Sequence, residues 1–299
     1  MSTAPDTPAT RPRVGYLGPE GTFSEEALLS SAAPDAVLPI AFATIHEAVT
    51  ALPRGEVDWS VVPIENSIDG SVSVTLDLLA EEAESVEIAG EVMLRIRHSL
   101  IAAREMRLEE IETVITHPQV PGQCERFLRT ELPAARVLTS TSTAEAVRTV
   151  AEQGQPGQAA LGTTLAARIY GAKVLREGVE DRDDNETRFL WLGRAGAAAG
   201  APLRVHGTDG RWKTSVVFWG QGAGRPGWLV RCLDEFARRE IDLTKIESRP
   251  RPGRMGSYMF FADLAGSTRE PRVAEAIAGI AELCEEARVL GSYPAAEPA

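Results

Sequence analysis

In the run EDRDDNETRFLWLG, residues 180–193, five acidic side chains in seven positions precede Thr187, Arg188 and Phe189, which open an apolar stretch. A hydroxyl so placed can donate a hydrogen bond to a departing oxygen, and a guanidinium offers a planar fork that matches a carboxylate. Thr187 is far too weak an acid to ionise first, so it would act as a donor strengthened by neighbours or by a proton relayed from water. The plainer alternatives are a Thr187 that caps a strand turn and an Arg188 held by its acidic prelude as a surface ion pair. We expect Arg188 to meet an anion and the acids to form a solvated loop before it.

Other candidates sit at places where open α/β sheets and helix ends put ligands. Glu65, Asn66 and Ser67 follow the buried strand in VDWSVVPIENS, at the carboxyl end where such sheets carry their sites. Glu65 is expected to orient donors, while Asn66 and Ser67 donate directly. Thr22, Ser142 and Thr143 stand at helix starts, whose free N–H groups bind anions. His98 and His117 read as structural histidines, and Cys124 as a small buried hydrophobe with no base beside it. No covalent step is expected. Gly222, Gly224 and Gly227 spell a G-x-G-x-x-G, but Pro226 removes an N–H there and the next strand turns through a hairpin, so nucleotide binding is set aside.

These residues need elements to hold them. VGYLG, then Thr22 and Glu25 at capping-box spacing before an apolar helix, begin a strand, loop, helix alternation. AFATI, HEAVTALPRG, VDWSVVPIENS, the helical SVSVTLDLLAEE and a long extended stretch over 86–103 continue it. IETVITH, QCERFLRTELP, RVLTS, a helix opening at Ser142, AALGTTLAARIYG and KVLREGVED repeat the order. The alternation predicts largely parallel sheets flanked by helices in two lobes with a cleft between them. Lobe I is placed at 13–89 and 176–194, lobe II at 90–175. Residues 195–210 are Gly- and Ala-rich and read as a linker. From 211 to 294 the order is βαββαβ, a ferredoxin-like arrangement.

Composition narrows the partners. The chain has 299 residues and a net charge of −12, which argues against nucleic acid or an anionic membrane surface. Residues 1–210 carry 18 basic and 31 acidic side chains, whereas 211–299 carry 13 and 12. No apolar run is long enough to span a bilayer, and residues 1–12 read as a disordered tail without signal-peptide regions, so a cytoplasmic location is expected. Cys124, Cys232 and Cys284 lack metal-site or disulfide spacing.

Taken together, GYLGPEGTFSEEA, PIENSIDGSV, THPQVPGQC, STSTAEAV and NETRF, in this order, resemble prephenate dehydratase. RPGWLV and KIESRP resemble the effector segments of that family's ACT domain. The resemblance implies a periplasmic-binding-protein-like catalytic region, an ACT regulatory domain, and conversion of prephenate to phenylpyruvate, water and carbon dioxide with no metal or organic cofactor. Onto this sequence it carries Thr187, Arg188 and Phe189 as the catalytic motif and Thr116 and Gln119 as pocket donors. Gly227, Leu229, Val230, Glu247, Ser248, Arg249 and Pro250 become the phenylalanine-binding set, in a homodimer or homotetramer. Two departures stand out: Pro121 and Gly122 alter a helical turn, and Trp228 replaces a small residue, either as a core or interface aromatic or as a plug in the effector pocket. Arogenate dehydratase, a non-aromatising prephenate decarboxylase and a non-catalytic small-molecule sensor are the rival readings.

Overall fold

The computed structural model describes residues 11–33, 35–82, 84–204, 210–220, 225–251 and 256–297. Residues 1–10 of the expected tail, 205–209 of the linker, and Gly222 and Gly224 of the glycine motif lie outside the described residues.

Lobe I begins with β1 (Arg13–Leu17), α1 (Phe23–Ser31), β2 (Leu38–Phe42), α2 (Ile45–Thr50), β3 (Trp59–Asn66), β4 (Gly70–Ser71), α3 (Ser73–Asp77) and β5 (Val86–Arg95). Lobe II follows with β6 (Ser99–Ala102), β7 (Thr113–Thr116), α4 (Val120–Gln123), α5 (Glu125–Glu131), β8 (Arg136–Thr139), α6 (Thr143–Gln153), β9 (Gln158–Gly162), α7 (Thr164–Ile169) and β10 (Lys173–Arg176). The chain then returns as β11 (Glu186–Arg194). Among the described residues the first sheet has the order β2-β1-β3-β11-β5, with β4 on β3, and the second the order β10-β6-β9-β7-β8. β1, β2 and β3 run parallel, and β11 is inserted antiparallel between β3 and β5.

The lobe crossings differ from expectation. The stretch over 86–103 is not one strand: β5 pairs with β11 from Val86↔Arg194 to Arg95↔Glu186, and β6 pairs with β9 in the other sheet. Ladder hydrogen bonds therefore hold the chain in lobe I as far as Arg95, beyond the boundary expected near 90. β10 pairs with β6, so the return to lobe I comes in 177–185 rather than at 176.

The C-terminal part is β12 (Trp212–Trp219), α8 (Trp228–Ala237), β13 (Leu243–Pro250), β14 (Tyr258–Ala265), α9 (Pro271–Leu283) and β15 (Glu286–Pro294), in the antiparallel order β13-β14-β12-β15. Trp228, Cys232 and Phe236 recur every fourth residue along α8 and are buried against Phe218, Ala262 and Ile280. Trp228 is 4% exposed and donates its indole N–H to the Leu283 carbonyl at 2.7 Å. It is a core aromatic, held as Trp usually is when buried, by apolar contact and one hydrogen bond.

The far face of this sheet docks on lobe I. Phe189 and Trp191 of β11 pack with Tyr16, Leu28 and Val61, while Leu190 and Leu192 pack with Val217, Phe261, Leu290 and Tyr293 of the C-terminal domain. Alternate side chains of a strand point to opposite faces, so β11 is buried on both, which is why FLWLG reads as a continuous apolar run. Between the lobes, Gly21 takes a φ of +85°, and a Cβ there would stand 2.7 Å from the Ala166 Cα. Thr163 at the start of α7 donates to the Gly21 carbonyl at 2.6 Å. Gly21→Ala is expected to push α7 away and destabilise the protein by about 1–3 kcal/mol, read as a lower urea midpoint; an unchanged midpoint would show that the loop yields without cost.

Candidate active site

The two crossing segments, the loop after β3 and the end of α4 converge between the lobes, and four side-chain amides and rings interlock there. Asn66, the last residue of β3, accepts the backbone N–H groups of Ile68 and Asp69, both at 2.9 Å, on its Oδ1. Backbone N–H groups cannot act as acceptors, so they fix which end of the Asn66 amide is oxygen. Its Nδ2 therefore donates, to Thr187 Oγ1 and to Asn185 Oδ1, both at 2.8 Å. With its oxygen already accepting, Thr187 is left to aim its own hydrogen elsewhere. Asn185 is 1% exposed, and its Nδ2 donates to Gln123 Oε1 at 3.3 Å. Gln123 Oε1 also faces His98 Nε2 at 2.9 Å, and Gln123 Nε2 faces Asp69 at 3.3 Å. Burial holds His98 below its ordinary pKa, so the imidazole is neutral near pH 7. Among the described residues no three His, Cys, Asp or Glu side chains converge to hold a metal ion.

Arg188 goes the other way. It shares the β11 face with Leu190 and is 6% exposed. Its guanidinium meets Glu91 at 2.6 Å, Asp263 at 2.6 Å and the Tyr293 hydroxyl at 2.9 Å. Burial opposes that charge, but Tyr293, Asp263 and Glu91 outweigh it and hold the guanidinium well above its ordinary pKa. Burial likewise pushes Asp263 up, yet Arg188, Ser215 and Lys213 bring it below the usual carboxylate range. The expectation that Arg188 faces the cleft is thus corrected by strand alternation: if Thr187 faces the cleft, its neighbour faces the C-terminal domain. Glu65 turns with it: it pairs with Arg188 across the β3–β11 ladder and reaches Lys245 at 3.0 Å, so it orients cations on the far face rather than donors in the cleft.

Other expected donors spend their groups locally. Phe189 is core. Ser67 is exposed and clasps the returning chain, accepting the Glu186 N–H at 3.0 Å. Thr116 is fully buried and donates to the Leu161 carbonyl. Thr22 donates to the Leu17 carbonyl while capping α1. Ser142 caps α6 by accepting the Glu145 N–H at 3.0 Å, with Thr143 buried in the first turn. Gln119 is exposed at the start of α4, one turn before Gln123. In the C-terminal domain, Gly227, Leu229 and Val230 line a cavity of about 200 Å³ with Arg225, Trp228 and Tyr258. Glu247 and Arg249 do not join them. They lie on the opposite face of β13, where Glu247 bonds Ser71 and Arg249 forks onto Asp77 at 2.6 and 3.1 Å. Ser248 and Pro250 are exposed on the helix-bearing side.

Residues 14–197 match the model of the prephenate dehydratase family. The chain belongs to that family. A prephenate dehydratase of Mycolicibacterium vanbaalenii is 39% identical, over 95% of this chain and 91% of its own. The crystal structure of prephenate dehydratase in complex with L-Phe from Arthrobacter aurescens superposes with a TM-score of 0.84 at 34% identity, covering 96% of this chain and 92% of that one. A third structure, GqqA, a novel type of quorum quenching acylase, gives 0.82 at 25% identity, covering 95% and 98%.

For a prephenate dehydratase the acidic run before TRF has a structural part as well as a solvated one. Glu180 accepts the His98 backbone N–H at 2.8 Å, and Asp181 accepts the Arg126 N–H at 3.0 Å. Asp183 and Asp184 are exposed, and Arg182 pairs with Asp184 rather than with a ligand. Gln123 and Asn185 lie inside the segments THPQVPGQC and NETRF, but nothing in the sequence separates Gln123 from Gln119, four residues away on the same short helical turn. Arg188→Met should leave Asp263 buried without the cation paired to it, while Glu91 keeps only Lys213, at about 3–5 kcal/mol. Denaturant unfolding reads that loss, and a stability within about 1 kcal/mol of wild type would show the acids relaxing into water.

Proposed function

We propose that the cleft carries out the decarboxylative dehydration of prephenate with Thr187 as the donor to the leaving hydroxyl. In this reaction the bond from the ring to its carboxylate breaks and the electron pair enters the ring. The opposite C–O bond breaks, and the departing hydroxyl takes up a proton and leaves as water. Aromatisation drives the step, so the protein need only orient the dianion, keep the ring carboxylate poorly solvated and help hydroxide depart. The observation that carries the assignment is the 2.8 Å hydrogen bond from Asn66 Nδ2 to Thr187 Oγ1. A hydroxyl that accepts from a fixed amide is a stronger donor, and its hydrogen is directed away from that amide. Gln123 contributes an amide N–H for a substrate carboxylate. A hydrogen bond already in place when charge develops costs no reorganisation at the moment of reaction.

We read the C-terminal βαββαβ unit as an ACT regulatory domain that binds phenylalanine in the cavity at the start of α8. Support comes from Gly227 there, which takes a φ of +79° and caps the helix, and from the relative whose structure holds L-Phe. Exposed Val230, Ile246 and Tyr258 border that cavity and β13, an apolar surface suited to pairing with a second copy in a dimer or tetramer. The reading also places the enzyme in the cytoplasm.

Conversion of prephenate to phenylpyruvate, compared with arogenate to phenylalanine, distinguishes the two dehydratases. A product that keeps the hydroxyl would indicate the decarboxylase, and binding without turnover a sensor. Thr187→Ala is expected to lower kcat by about two to four powers of ten with folding intact, while Thr187→Ser keeps most of it; near-normal turnover in the alanine variant sinks the assignment. Phenylalanine should inhibit the wild type and raise its melting temperature through mass action, and a melting curve that stays flat across a phenylalanine titration rejects the effector site.

A further inference from the structure

His98 occupies the crossing from β5 to β6, where the segment before β11 and helix α1 hold it. Its backbone N–H goes to Glu180 at 2.8 Å, its carbonyl accepts the Val179 N–H at 3.0 Å, and Phe23 of α1 meets its ring edge-on at 5.4 Å. The side chain is 1% exposed, and Nδ1 has no partner among the described residues. A buried nitrogen without a partner is unfavourable, so the other nitrogen must justify the residue. That nitrogen, Nε2, lies 2.9 Å from Gln123 Oε1.

The orientation of this contact follows from the backbone. Ile68 and Asp69 fix the Asn66 amide, Asn66 Nδ2 fixes the Asn185 amide, and Asn185 Nδ2 marks the atom it meets on Gln123 as oxygen. His98 must therefore carry its proton on Nε2, and Nδ1 is the bare lone pair beside Phe23. Two donors converge on Gln123 Oε1, which leaves the Gln123 NH2 group on the side of Asp69 and the cleft.

We propose that His98 is a positioning residue: its Nε2–H locks the Gln123 amide so that the NH2 group faces the cleft and receives a carboxylate of the substrate. The proposal rests on the reading of this cleft as the prephenate site. Without the imidazole, only the two 3.3 Å contacts, from Asn185 Nδ2 to Oε1 and from Nε2 to the exposed Asp69, oppose rotation of the amide, and a flipped amide turns an oxygen toward an anion.

The test is a double-mutant cycle on the full-length enzyme, with KM and kcat for prephenate measured separately. His98→Phe fills the space without a donor and is expected to raise KM about tenfold with kcat within about twofold, as for a contact made equally in ground and transition states. In a Gln123→Ala background the same change should alter KM by less than about twofold, because the group it positions is gone. His98→Gln, which restores a donor near the Nε2 position, should keep KM within about threefold of wild type. Should His98→Phe fail to fold, the His98→Gln result decides: a near-wild-type KM supports the role and a tenfold rise overturns it. Equal effects of His98→Phe with and without Gln123 also overturn it. Wild-type turnover of prephenate and its loss in Thr187→Ala test the cleft separately, so additive effects in an enzyme that passes both remove only the positioning role.

Discussion

A guanidinium enclosed with two carboxylates and a phenol is stable only while every partner stays in place, because each charge was desolvated against the others. Arg188 is that guanidinium. Glu91 comes from β5 of lobe I, Asp263 and Tyr293 from the C-terminal sheet, and Lys213 closes the cluster on Glu91 at 2.8 Å. Ser215 ties Asp263 to Tyr293, at 2.5 and 2.7 Å. The cluster fixes how the C-terminal domain sits on the catalytic region, and it does so through the strand that bears Thr187.

That arrangement gives β11 two tasks on opposite faces. One face meets the C-terminal domain through Arg188, Leu190 and Leu192; the other meets α1 through Phe189 and Trp191. Thr187 sits at the open end, one peptide from the guanidinium. A rigid shift of β14 or β15 relative to lobe I must either break charge pairs or carry β11 with it. Breaking a buried pair costs several kcal/mol, whereas small displacement of a strand end is cheap. The register change between Arg188 and Phe189 in the pairing with β3 lies at that end, where a bulge re-aims side chains. The C-terminal domain and the Asn66 amide thus hold adjacent residues of one strand, Arg188 and Thr187.

On the cleft side, specificity of orientation comes from neutral amides rather than charges. Asn66, Asn185 and Gln123 form a chain in which each donor is assigned by the acceptor before it, beginning at two backbone N–H groups. Such a chain suits an acidic catalytic region, where a free cation would be drawn into surface pairs like that of Arg182 with Asp184. Amides hold direction without attracting those acids.

The sequence by itself determined the alternation of strands and helices, the βαββαβ order after the linker, and the two short segments that meet at Thr187 and Asn66. These are local matters: periodicity fixes elements, Ser142 and Thr22 cap helices through neighbours three residues on, and a short motif keeps its residues adjacent. The tertiary structure alone decided which way Arg188 and Glu65 point. An alternating strand reveals its faces when one is wet, but β11 is covered on both sides, so no polar period marks the face that Arg188 takes. Its partners Asp263 and Tyr293 are 75 and 105 residues away, and nothing in the local sequence pairs them. That Gln123 rather than Gln119 joins the amide chain, and that lobe I ends at Arg95, likewise depended on contacts between segments that only folding brings together.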